Sequence, residues 1–129
     1  MIKDIVVNLT PGTENDPARR YAISLAEAFD AHVTGVAFAY DPAWPPSITD
    51  TIGGDIVSSL IEETRTKARK VAESFEAAAA VSNLSVQTMT PEASLAGAAE
   101  TFANLARTYD LVVLKQSESD EDVTSQTLI

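Results

Sequence analysis

Apolar residues along the chain fall into two kinds of pattern. Ile5-Val6-Val7 and Leu111-Val112-Val113-Leu114 are short continuous runs, the form taken by strands covered on both faces. Elsewhere apolar residues recur every three or four positions, the spacing of one face of a helix. Ala18, Tyr21, Ala22, Leu25, Ala26 and Phe29 make such a face behind Asp16-Pro17. Asp caps free helix N–H groups there, and Pro tolerates the first helical position. "HVTGVAFAY" reads as the second strand, with Val33, Val36 and Phe38 as its bulk. Gly35 inside it marks a close backbone approach. A long helix is predicted from about Asp55 to about Ala80, with Ile56, Val57, Leu60, Ile61, Thr64, Ala68, Val71, Ala72, Phe75 and Ala79 on one side. Its other side pairs Glu63 with Lys67 and Arg69 with Glu73 at four-residue spacing, which marks a solvated face. "LSVQTMT" alternates weakly and reads as a third strand near a sheet edge. Thr90-Pro91-Glu92 is expected to open the last helix, with Leu95, Ala98, Ala99, Phe102, Leu105 and Ala106 as its buried stripe. "LVVL" is the fourth strand.

The predicted order is β-α-β-loop-α-β-α-β. Such alternation gives an α/β fold, a parallel sheet flanked by helices and joined by right-handed crossovers. "TPGTEND" is a cluster of turn residues, and "DPAWPPSITDTIGG" is a long loop of a kind often tied to function. Within it Trp44 reads equally as a ligand lid or partner anchor and as a ring packed on the sheet or long helix. "DVTSQTLI" resembles the first turns of a further helix, after which a fifth strand is expected. Residues 1–129 therefore read as a single domain incomplete at its C-terminal end. A four-stranded sheet would leave "LVVL" as an apolar edge, an association hazard. The expectation is that further polypeptide or another chain covers it.

Composition narrows the classes of function. With 129 residues, 45% of them hydrophobic, the chain can bury one sizeable core. Cysteine is absent, so disulfides, thiolate nucleophiles and zinc-thiolate sites are excluded. "MIKDIVV" lacks the features of a signal peptide, and no apolar run reaches membrane-spanning length. A cytoplasmic protein without a membrane partner is expected. The formal net charge of -10 disfavours nucleic acid, which needs a basic face that releases counterions. Arg65, Lys67, Arg69 and Lys70 are interleaved with Glu62, Glu63 and Glu73 and read as a solvated helix face. His32 is the single histidine; with no second His and no Cys to complete a metal set, a structural role is expected. A serine nucleophile would have only His32 as its usual base. No constellation points to catalysis, and no enzyme activity is expected.

The residues at this point resemble the universal stress protein family. The resemblance rests on "IVVNLTPGTENDPARRYAISLAEAFDAHVTGVAF", on the loop and long second helix, and on "LARTYDLVVL", and covers nearly the whole chain. It implies a Rossmann-like sheet of five parallel strands, with spatial order 3-2-1-4 for the four found in this chain and the fifth missing. It implies a homodimer through the last strand, or a second module of the same kind in one polypeptide. The family's ATP-binding branch carries an aspartate just after strand one and a G-x2-G-x9-G-[ST] pattern after strand four. Here the aspartate position falls on Thr10, the leading glycines on Lys115 and Glu118, and the later glycine near Leu128.

Physical chemistry bears on the same loop. Phosphate cradles need converging backbone N–H groups with no side chain in the way. In "LVVLKQSESDED", Glu118, Asp120, Glu121 and Asp122 set carboxylates against a polyanion, and Lys115 offsets only part of that charge. Two like unit charges ~4 Å apart repel by about 4 kcal/mol at an effective surface dielectric. The acidic run lacks calcium-loop spacing and reads as a solvated turn. The expectation is a non-catalytic stress-response module acting by association, with a degenerate nucleotide site and no cofactor. The alternative is an ATP or adenine-nucleotide binder using a variant loop. Leu9, Thr10, Phe38, Leu114 and Lys115 would line its crevice, since ligands of open α/β sheets sit beyond the strand carboxyl ends.

Overall fold

The computed structural model describes residues 2–10, 16–41, 53–94 and 96–114. Trp44 and its loop, Leu95, Lys115, the acidic run and "DVTSQTLI" lie outside these residues. Four strands form one sheet: β1 (Asp4–Asn8), β2 (His32–Val36), β4 (Val86–Met89) and β6 (Leu111–Val113). Their spatial order is β4-β2-β1-β6, and every pairing is parallel. Numbered as principal strands this is the expected 3-2-1-4. A second, two-stranded sheet pairs β3 (Ala39–Asp41) with β5 (Glu92–Ser94), also in parallel.

Register assigns each side chain to a face. Ile5 stands beside Val33 and Leu111, and Val7 beside Gly35 and Val113. This face is covered by α1 (Pro17–Phe29) and α2 (Gly54–Val81). Helix α1 contributes Ala18, Ala22 and Ala26, one small residue per turn, and α2 contributes Ala68 and Phe75. Small side chains on α1 leave room for the Val and Ile side chains that stand off the sheet. The opposite face carries Val6 and Val36, and α3 (Ala98–Ala106) covers it with Ala98 and Phe102. Thr34 is the one buried hydroxyl on that face among the described residues; the Tyr109 hydroxyl lies 3.1 Å from it and satisfies it.

Gly35 is a close approach, as its place in the strand implied. A Cβ there would stand 2.8 Å from the Phe75 ring and 2.9 Å from Leu9. The Asp16-Pro17 start of α1 is also present: the Asp16 carboxylate accepts from the Ala18 N–H at 3.1 Å. At the other end Asp30 closes the helix in the left-handed conformation.

Three expectations need correction. The extended run "HVTGVAFAY" is divided into β2 and β3, with Ala37 and Phe38 between them. Residues 92–94 form β5, whereas the Thr90-Pro91-Glu92 cap had placed a helix there. One ladder explains both. Ala37 donates to the Met89 carbonyl and Ala39 to the Pro91 carbonyl, each at 2.9 Å, so the two chains stay side by side past the main sheet. Pro91 needs no N–H to accept that bond. The helix is deferred to Ala98, after a turn in which the Gly97 N–H meets the Ser94 hydroxyl at 3.0 Å. The third correction concerns helix faces. Tyr21 and Phe29 on α1, Ile56 on α2 and Ala99 on α3 are exposed. Helix α2 is 28 residues long, about 42 Å at 1.5 Å per residue. That exceeds a sheet of three- to five-residue strands, and its buried residues begin only at Ala68.

Candidate functional site

The crevice of an open α/β sheet lies beyond the strand carboxyl ends, where the chain order reverses. Here that place is between β1 and β6. The main chain leaves β1 at Asn8, and the Leu9 N–H continues the ladder to the Val36 carbonyl at 2.8 Å. The Leu9 side chain is buried in the core on the α1–α2 face. Thr10 is half-buried, and its N–H points at the Asp16 carboxylate, 3.2 Å away. Asp16 is 1% exposed and uses its second oxygen on the Ala18 N–H. A helix amino end with free N–H groups attracts anions. At α1 the chain supplies that anion itself.

Phe38 lies on the other face. Its ring meets Phe102 edge-on at 6.4 Å between centroids and Tyr40 at 6.0 Å. Phe38 and Leu114 share a cavity of about 640 Å3 with Asn8, Phe102, Arg107 and Val112. Of the five positions read from the sequence, the structure brings Phe38 and Leu114 together. It sets Leu9 in the opposite core and Thr10 beside Asp16, and Lys115 lies outside the described residues.

Strand β6 is the edge of the sheet among the described residues. Val112 and Leu114 are 39% and 59% exposed. On the α1 side a shallower hollow of about 390 Å3 runs along the same edge, walled by Tyr21, Leu25, Phe29 and Leu111. Both flanks of β6 are therefore apolar. A row of unpaired strand N–H and C=O groups between apolar flanks is a template for another strand.

At the amino ends of the strands, a third hollow of about 440 Å3 holds Lys3, Asp30, His32, Asn83 and Ser85. His32 Nδ1 lies 3.0 Å from the Ser85 hydroxyl, which ties β2 to the segment entering β4. No group of three His, Cys, Asp or Glu among the described residues is placed to hold a metal ion. Nearby, the Asp110 carboxylate accepts the Lys3 and Asp4 N–H groups at 2.9 and 3.0 Å. The bond from Lys3, then that from Asp4, holds its pKa below the usual carboxylate value.

Sequence reasoning missed Asn8 and Arg107 as cavity residues and Asp16 as an internal anion. Alternation from Val6 places Asn8 on the α3 face. Nothing local to the sequence marks Arg107, because its neighbours in the cavity come from three separate elements.

No protein-family profile and no curated protein matches the sequence. Solved structures do match. The universal stress protein UspA from Lactobacillus plantarum superposes with a TM-score of 0.73 at 18% identity, over 92% of this chain and 80% of that one. A protein of the universal stress protein family from Burkholderia pseudomallei gives 0.60 at 22% identity, over 98% and 88%. A universal stress protein from Archaeoglobus fulgidus gives 0.60 at 13%, over 92% and 81%. At these identities the likeness is one of architecture, and the chain has the fold of the universal stress proteins.

Proposed function

We propose that the chain is a universal-stress-type module that acts by association, without catalysis and without a bound nucleotide, in the cytoplasm. The observation that carries this reading is the β6 edge, with Val112 and Leu114 exposed and Tyr21 and Phe29 beside them on α1. Burying such apolar surface is worth about 25 cal/mol per Å2. Pairing a second β6 would also satisfy the open backbone groups. The partner is a second copy of the chain or a second module of the same fold. Two features weigh against a nucleotide at the crevice: Asp16 occupies the amide of Thr10 and the start of α1, and it adds negative charge where phosphates would lie.

Sedimentation of the protein across a wide concentration range tests this reading. Dimers are expected, and Tyr21→Glu with Leu114→Lys is expected to yield folded monomers with unchanged circular dichroism. A monomer at every concentration would overturn it. The second reading, an adenine-nucleotide binder, is favoured by the convergence of Phe38 and Leu114 on one cavity near the carboxyl ends of the strands. Calorimetric titration with ATP, with and without magnesium, is expected to show no heat of binding; micromolar affinity would establish that reading instead.

A further inference from the structure

The sheet has two edges among the described residues, β6 on one side and β4 on the other. They are not alike. Strand β6 and the residue after it are apolar on both faces, with Leu111 and Val113 toward α1 and Val112 and Leu114 toward α3. Strand β4 carries Gln87, exposed, beside Thr34, and Thr88, half-buried, beside Gly35.

Hydrogen bonds fix which backbone groups of β4 are open. The Ser85 and Met89 carbonyls accept from the Val33 and Ala37 N–H groups at 3.1 and 2.9 Å. Backbone groups alternate in direction along a strand, so those of Val86 and Thr88 point away from β2, toward the open edge. Thr88 is also where α2 reaches the rim. The Phe75 ring fills the space over Gly35. The next residue, Glu76, accepts a hydrogen bond from the Thr88 hydroxyl at 2.6 Å. An exposed carboxylate therefore stands beside a strand position whose N–H and C=O face outward.

A strand laid against β4 would take water from that carboxylate, and burying an ion without a partner is unfavourable. If the strand were β6 of another copy, Glu76 would meet an aliphatic side chain whichever face was presented. If it were β4 of another copy, pairing about Thr88 would bring two Glu76 carboxylates together, and like charges across a strand pair are destabilising. The difference decides whether assembly closes. Two copies joined through β6 leave a β4 at each outer edge. An unguarded β4 would let such pairs add to one another without limit, and contacts that do not close make fibres. We infer that Glu76, held by Thr88, closes the β4 edge to strand addition and confines association to β6. The inference rests on the association through β6 proposed above.

Sedimentation over a wide concentration range tests it with three proteins. The parent chain is expected to stop at the dimer. Glu76→Ala with Thr88→Val removes the carboxylate together with the hydroxyl that would lose its acceptor. Its mass is expected to keep rising with concentration past that of the dimer. Glu76→Lys with Thr88→Val restores a charge at the rim and is expected to stop at the dimer again. Glu76 is exposed, alanine and lysine suit a helix, and valine suits a strand, so unchanged circular dichroism is expected for both variants. The inference is overturned if the Ala–Val protein stops at the dimer, which leaves association through β6 standing. It is also overturned if the Lys–Val protein grows as well, since a rim charge then does not control growth. A parent chain that stays monomeric overturns association through β6, and this inference with it.

Discussion

Gly35 shows how a single missing side chain sets the spacing of a layer. It faces Phe75, and the Phe75 ring and the Leu9 methyl fill the space its Cβ would take. Ring and methyl are both fully or nearly fully buried, so neither has room to retreat. Gly35→Ala is therefore expected to destabilise the fold by about 1–3 kcal/mol through overpacking, read as a lower urea midpoint with unchanged slope. The sequence announced this glycine, because a glycine weakens an apolar strand unless something must come close to its backbone. It could not announce which side chain fills the space, since Phe75 comes from a helix forty residues away. Asp16 was legible as a helix cap for a similarly local reason. Its second bond, to Thr10, was not. That contact depends on how the chain turns back between β1 and α1.

At the scale of elements, what the sequence revealed was period and what it concealed was continuation. Of the principal strands, β1 and β6 were visible from continuous apolar runs, β2 from its bulky apolar positions and β4 only from weak alternation, and α1 from its cap and its face. The β3–β5 pair was hidden because Pro91 followed by Glu92 carries the composition of a helix start. The ladder that β2 and β4 had already begun outweighed that local preference. A salt bridge then joins the Arg65 guanidinium of α2 to the Glu92 carboxylate of β5. Both side chains are well exposed, so the pair adds little stability. Asp110 joins elements more tightly, binding the start of β1 to the start of β6 through two backbone N–H groups. Its folded pKa lies below the ordinary value. Its contribution is therefore complete above the unfolded pKa, near 3.9, and is lost as pH falls through the lower folded value. Asp110→Asn is expected to flatten the decline of stability on acidification below about pH 4. Urea midpoints measured from pH 2 to pH 6 check this; parallel profiles for both proteins would contradict it.

For the whole molecule, charge and apolar surface act in opposite directions. A net charge of -10 repels a second copy at long range, while the flanks of β6 attract it on contact. Salt screens the first and leaves the second. The dissociation constant of the dimer is therefore expected to fall between 20 and about 300 mM salt, the reverse of an association driven by ion pairs. Sedimentation equilibrium at several salt concentrations would show it, and tighter association at low salt would exclude the apolar edge as the driving surface. The sheet order carries one more consequence. β1, the first strand of the chain, lies between β2 and β6, and β6 is the last strand in the described sequence. On the ribosome, more than a hundred residues separate the emergence of one from the emergence of its neighbour. Through that interval one long side of β1, whose Ile5, Val6 and Val7 are fully buried in the folded sheet, has nothing to pair with, so the nascent polypeptide is prone to aggregate until β6 has emerged.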